Sequence, residues 1–235
     1  MTQAIIKICG LSDGQHVTAA LKAGASHVGF VFYPKSPRHI NVDEAEAVIR
    51  SMDPIAAKVA LLVDPDEALL AEVMERIAPE VIQLHGAETP SAVLRIKEQI
   101  GGRADLWKAL GMANSADVDA AMQYEGLADL LLFDARSPEG ADRPGGHGEV
   151  FDWRILRSYR GKTPWVLAGG LTGENVGEAI ALCAGKIAGR QAIPGFSGVD
   201  VSSGIEERIG EKDVEKITQF IYAAKQAYRG TDCNE

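Results

Sequence analysis

Apolar residues along this chain fall into eight short runs, at 4–8, 27–32, 58–63, 81–84, 106–110, 130–133, 165–168 and 198–201. Each run is too short for a helix and holds branched or bulky side chains without polar alternation, the pattern of a strand buried on both faces. Amphipathic or alanine-rich stretches fill the seven gaps, at 14–23, 42–52, 66–77, 90–100, 115–124, 151–159 and 173–184, and another at 212–228 follows the last run. Short buried strands alternating with helices require parallel pairing through crossover connections. Eight such units predict an α/β fold closed into a (β/α)8 TIM barrel, a single domain over residues 1–229 with a frayed tail at 230–235.

Local signals agree with this punctuation. Asp13 can cap the first helix and Gly24 end it, Asp66 can cap the third, and Thr89-Pro90 opens the fourth with proline in the tolerated first turn. The connection at 136–148 has no helical pattern and many Gly and Pro residues. Its length and its place after the sixth strand predict an active-site lid.

Composition narrows the class. With 46% hydrophobic and 24% charged residues over 235 positions, the chain can bury a sizeable core. No apolar stretch reaches the roughly 18–20 residues of a membrane span. The start, Met1-Thr2-Gln3, lacks the features of a signal peptide, so a cytoplasmic protein is expected. Cys9, Cys183 and Cys233 are odd in number and widely spaced, which predicts reduced thiols rather than a disulfide framework or a zinc site. The net charge of −9 argues against a nucleic-acid partner, although a small anion can still bind locally.

In a barrel of this kind the chemistry sits at the C-terminal ends of the strands. Ile5-Ile6-Lys7-Ile8-Cys9-Gly10 delivers a thiol to that rim, where the competing role for a free cysteine is plain core packing. Ala168-Gly169-Gly170 ends the seventh strand, and Ser202-Ser203-Gly204 follows the eighth, just ahead of a short helical stretch at 205–208. Glycine-rich turns at these two places form a phosphate site, with the helix start adding N–H donors and a favourable dipole. Asp134 closes the apolar run Leu130-Leu131-Leu132-Phe133; partial loss of hydration there favours the neutral carboxyl that a general acid needs. Asp64 precedes Pro65 and reads as a turn residue, while Asp200, inside the eighth strand, reads only as an orienting group. Arg38, after Ser36-Pro37, can grip a carboxylate in two-point fashion if its loop crosses the barrel mouth. His85 and His147 lack ligand spacing, so no metal and no other cofactor is implied.

Taken in order, Lys7-Ile8-Cys9-Gly10, Ser36-Pro37-Arg38, Gln83-Leu84-His85-Gly86, Phe133-Asp134, Gly145-Gly146-His147-Gly148, Phe151-Asp152-Trp153, Leu167-Ala168-Gly169-Gly170-Leu171 and Val199-Asp200-Val201-Ser202-Ser203-Gly204-Ile205-Glu206 resemble the phosphoribosylanthranilate isomerases. The resemblance spans nearly the whole chain and departs at His147 and Ala135, where Thr or Ser and Ser, respectively, are the commoner residues. It implies an Amadori rearrangement in tryptophan biosynthesis, with Cys9 as general base, Asp134 as general acid and Arg38 on the substrate carboxylate. Gly169, Gly170, Ser202, Ser203 and Gly204 would hold the ribose phosphate. It further implies a phosphorylated sugar substrate as the partner, with no cofactor, in a monomer or homodimer. A sugar-phosphate isomerase of histidine biosynthesis, which uses aspartates after strands one and five, and a catalytically silent phosphate-binding scaffold are the alternatives.

Overall fold

The computed structural model describes residues 4–137, 140, 145–146, 148–187 and 189–229. Eight parallel strands close into a barrel in sequence order: β1 Ile5–Cys9, β2 His27–Val31, β3 Ala57–Leu62, β4 Val81–Leu84, β5 Asp105–Met112, β6 Leu130–Ala135, β7 Trp165–Leu167 and β8 Phe196–Val201. The last strand pairs with the first, Lys7 lying opposite Asp200 and Ile8 opposite Val201. Alternation divides the side chains of each strand between two cores. Val59, Val81, Trp107, Leu132 and Val166 fill the barrel itself. Ile8, Val28, Phe30, Leu62 and Phe133 face outward against the helices.

Helices α1 Gly14–Ala23, α2 Val42–Arg50, α3 Glu67–Arg76, α4 Pro90–Ile100 and α5 Ser115–Ala121 follow β1 to β5 in turn, α6 Val176–Cys183 follows β7, and α7 Val214–Arg229 follows β8. The expected caps are in place. The Asp13 carboxylate accepts the His16 N–H, Asp66 accepts Leu69 N–H, and the Thr89 hydroxyl accepts Ala92 N–H. Gly24 ends α1 in the left-handed conformation at φ 92°.

Two expectations need correction. The 151–159 stretch is a short 3₁₀ helix, Trp153–Ser158, rather than an α-helix. Phe151, Trp153 and Tyr159 are all buried, and Gly161 and Pro164 follow closely. Few residues must therefore reach from the 136–148 connection to β7, and the 3₁₀ form covers about 2.0 Å per residue against 1.5 Å for an α-helix. The stretch at 205–208 is not helical beyond a three-residue 3₁₀ turn, Ser203–Ile205. It enters instead a small antiparallel pair, β9 Glu206–Arg208 with β10 Glu211–Lys212. Most of the proposed lid, including His147, and the tail at 230–235 lie outside the described residues.

Candidate active site

Cys9 is the last residue of β1 and is only 3% exposed, packed among Val31, Leu61, Tyr33 and Val63 at the barrel mouth. Gly10 then turns with φ 76°, and a Cβ there would come within 2.8 Å of Arg38 Cδ. The Cys-Gly step thus lets the aliphatic stem of Arg38 cross directly behind the thiol. Burial pushes the Cys9 thiol above the usual range, while the ammonium of Lys7 pulls in the other direction. Cys183, the other described cysteine, is buried among the outer layer, and burial pushes its thiol up to about 12. It plays no part at the rim.

Asp134 stands on β6, where its Oδ1 accepts the Ala135 N–H at 2.8 Å. Its Oδ2 lies 3.3 Å from Nε2 of His85, whose Nδ1 meets the side-chain amide of Gln83 at 3.0 Å. Sequence reasoning gave His85 no role; its place beside Asp134 arises because β4 and β6 flank β5 on the same side of the barrel mouth. Gly145 folds over the pair so closely that a Cβ there would sit 2.8 Å from both Asp134 Oδ2 and His85 Nε2.

Arg38 occupies the mouth as expected, but its guanidinium is already engaged. Nε donates to Glu206 Oε1 at 2.6 Å and Nη2 to Glu206 Oε2 at 2.9 Å, while Nη2 also reaches the Gly146 carbonyl at 3.2 Å. One edge of the fork is therefore held by the protein, which leaves the Nη1 side without one of these bonds. Glu206 also binds Lys212 at 2.8 Å, and Lys212 donates to the carbonyl and hydroxyl of Ser202. The Ser202 hydroxyl in turn donates to the Cys9 carbonyl at 3.2 Å. Burial opposes the charge on Glu206, yet hydrogen bonds from Arg38 and the nearby Lys212 hold its carboxyl below the usual range.

The phosphate-type loops adjoin each other. Gly169 and Gly170 adopt φ 83° and 60°, a region that favours glycine, and Asn175 steadies the turn by donating to the Gly170 carbonyl. A Cβ on Gly204 would lie 1.8 Å from the Leu171 carbonyl oxygen, so the loops after β7 and β8 meet backbone to backbone. Only a three-residue 3₁₀ turn follows β8, so the loops present backbone N–H groups without a helix dipole behind them.

Two adjoining cavities result. One is lined by Cys9, Arg38, His85 and Asp134. The other is lined by Gly169, Gly170, Ser202 and Ser203. Asp134, Gly146, Asp200 and Ser202 line both, which makes them one cleft across the mouth. Asp200 does not stand free in it, since its Oδ1 holds Lys7 at 2.8 Å. Asp64 lies apart, in a turn at φ 43°, accepting the Ala87 N–H at 3.0 Å.

Comparisons with known proteins agree on one family. The sequence profile described as N-(5'phosphoribosyl)anthranilate (PRA) isomerase matches residues 6–223. The N-(5'-phosphoribosyl)anthranilate isomerase of Rhodopseudomonas palustris strain BisB18 is 45% identical over 221 residues, covering 94% of this chain and 95% of its own. The crystal structure of the isomerase from Thermotoga maritima superposes with a TM-score of 0.78 at 32% identity, covering 95% of this chain and all (100%) of that one. A further isomerase structure, in complex with reduced 1-(o-carboxyphenylamino)-1-deoxyribulose 5-phosphate, has a TM-score of 0.74 at 29% identity, with coverage of 95% and 100%.

Proposed function

The chain belongs to the N-(5'-phosphoribosyl)anthranilate isomerase family, and on that premise we propose which of its residues carry each step of the reaction. The reaction is the Amadori rearrangement of N-(5'-phosphoribosyl)anthranilate to 1-(2-carboxyphenylamino)-1-deoxyribulose 5-phosphate, a step of tryptophan biosynthesis. An acid must protonate the furanose oxygen so that the ring opens to a Schiff base. A base must then take the proton from C2, leaving an enolamine that becomes the ketone.

Asp134 is the acid in this reading and Cys9 the base. The observation that carries the assignment is that both line one cleft, with Arg38 beside them and Gly169, Gly170, Ser202 and Ser203 at its other end. A substrate with a carboxylate at one end and a phosphate at the other spans such a cleft. Nη1 of Arg38 takes the carboxylate, and the two loops take the phosphate. His85 orients the Asp134 carboxyl, and Asp200 acts on the cleft through Lys7. The histidine-pathway alternative needs a carboxylate at the end of β5, where this chain has Gly111 and Met112, Gly111 packing against the Arg136 backbone.

The test is turnover of freshly generated substrate by the purified chain, followed as loss of substrate fluorescence. Asp134→Asn keeps the shape but cannot donate the proton, so kcat falls by roughly 100-fold or more while a product analogue still binds. Substantial turnover by this variant would move the acid elsewhere.

A further inference from the structure

The interior of the barrel beneath Cys9 is largely apolar, with His27 and Gln83 among its polar side chains and one buried ion pair. Lys7 is fully buried (0% exposed) and Asp200 nearly so (6%), with Lys7 Nζ 2.8 Å from Asp200 Oδ1. Stability does not account for the pair, because replacing a buried pair by apolar residues of similar volume is often neutral or favourable. Geometry gives it another use. Lys7 and Cys9 are two apart on β1, so both point into the barrel, and the β1–β8 register puts Asp200 directly beside Lys7. On the other flank, β2 offers Gly29, where a Cβ would approach Cys9 Sγ to 3.1 Å and Lys7 Cε to 3.3 Å. The missing side chain leaves the lysine stem and the sulfur facing one shared space, close enough for the charge of the ammonium to favour the thiolate.

We propose that Lys7 is the positioning residue that equips Cys9 as a base, its ammonium held between the sulfur and the Asp200 carboxylate so that the thiolate forms as a contact ion pair. This rests on the reading of Cys9 as the base. As the C2–H bond breaks, the proton joins sulfur and the C–H electron pair moves toward the Schiff-base nitrogen. The thiolate charge disappears, and Asp200 alone then balances Lys7.

The charged surroundings support the same signs. Lys7 and, more remotely, Lys212 favour the thiolate, whereas Asp200 disfavours it. His27, opposite Lys7 on β2, is pushed by burial and by Lys7 down to about 4 and is neutral at working pH. Tyr33 packs beside the thiol, and Arg38, His85 and Asp134 line the same cleft. Burial alone would discharge Lys7, but the Asp200 carboxylate and Cys9 outweigh it and hold the ammonium above the usual lysine range.

The experiment is pH-dependent alkylation of ligand-free protein by iodoacetamide, read at Cys9 by peptide mass spectrometry, for the wild type, Lys7→Met, Asp200→Asn and the double variant. The midpoint on the pH axis cancels differences in access. Lys7→Met moves it up and slows alkylation at pH 7 by about tenfold or more, the scale of losing one neighbouring opposite charge. Asp200→Asn moves it down, since the ammonium then has only the sulfur to neutralise. A purely structural role would move both variants alike, because both break the same pair. Should Lys7→Met fail to fold around an unpaired Asp200, the double variant compared with Asp200→Asn isolates the loss of Lys7 and again shows an upward shift. An unchanged midpoint on removing Lys7 in either background, or shifts of the same sign in the two single variants, overturns the proposal. Because the readout is titration of the native thiol, it separates from the base assignment: full activity of Cys9→Ser would overturn Cys9 as the base and would not alter the effect of Lys7 on the native thiol.

Discussion

Glu206→Gln is the sharpest test of how the mouth is built. In the native chain one carboxylate serves two cations, and the side chains of Arg38, Glu206 and Lys212 are 5%, 5% and 1% exposed. Glutamine keeps the volume but removes the negative charge, and its amide turns N–H donors toward groups that are themselves donors. Breaking a buried pair by deleting one partner costs about 3–5 kcal/mol. For a protein of this size that corresponds to a fall in Tm of roughly 6–20 °C. The pH dependence has a definite sign. Glu206 is held below the ordinary glutamate value, so its contribution is complete above that value and disappears as pH falls through the lower folded one. Burial lowers Lys212 despite the carboxylate beside it, and without Glu206 it falls further. Between that lowered value and the ordinary lysine value the unfolded chain binds the extra proton, so stability of the variant rises with pH over a wider interval than in the wild type. The deficit is therefore largest near pH 7 and narrows toward pH 9.5. Urea unfolding of both proteins across that range measures it. A deficit under about 1 kcal/mol at pH 7, the level of an exposed pair, or one that does not narrow with pH, refutes the reasoning.

Cys9→Ser loses at least roughly 100-fold in kcat, because a hydroxyl of similar size does not ionise usefully; near-native turnover would remove the thiol from the mechanism. Since burial raises the Cys9 thiol, kcat/KM of the wild type climbs with pH on the alkaline side of an ordinary thiol, and a profile already flat below pH 7 contradicts that. Inorganic phosphate competes with substrate at constant ionic strength; absence of inhibition up to high concentration dismisses the two-loop anion site. Gly204→Ala, whose Cβ would enter the Leu171 carbonyl, lowers Tm and weakens phosphate inhibition together, and a stable variant with native inhibition shows that the loops do not need their contact.

The strand pattern was legible because burial on both faces leaves an unbroken apolar signature. Val81–Leu84 and the helices Gly14–Ala23 and Pro90–Ile100 fall where the sequence places them. Cys9, Arg38 and Asp134 were readable as strand-end or loop residues of unusual chemistry, and they do share a cleft. Glu206 and His85 stood in the motifs of the resemblance without a role, since their partners Arg38 and Asp134 lie 168 and 49 positions away, beyond any local pattern. Lys7 did leave a trace: a lysine at the centre of Ile-Ile-Lys-Ile-Cys needs a buried partner, and Asp200 in an equally apolar strand is a fitting one. The 205–208 stretch misled because its charged residues look helical in isolation, whereas β9 is held by pairing with β10.

Closure of the barrel by β8 on β1 ties catalysis to completion of the chain. Cys9 leaves the ribosome early, yet Asp200, Ser202 and Glu206 are made near the end. A nascent or proteolytically shortened chain that lacks β8 exposes the Lys7 ammonium and the β1 edge to solvent and lacks both the Asp200 carboxylate that holds that ammonium and the Ser202-Ser203 loop. The active site is thus also a checkpoint on intact synthesis, in which an unfinished barrel holds a quiescent cysteine and turnover begins only when the final strand docks.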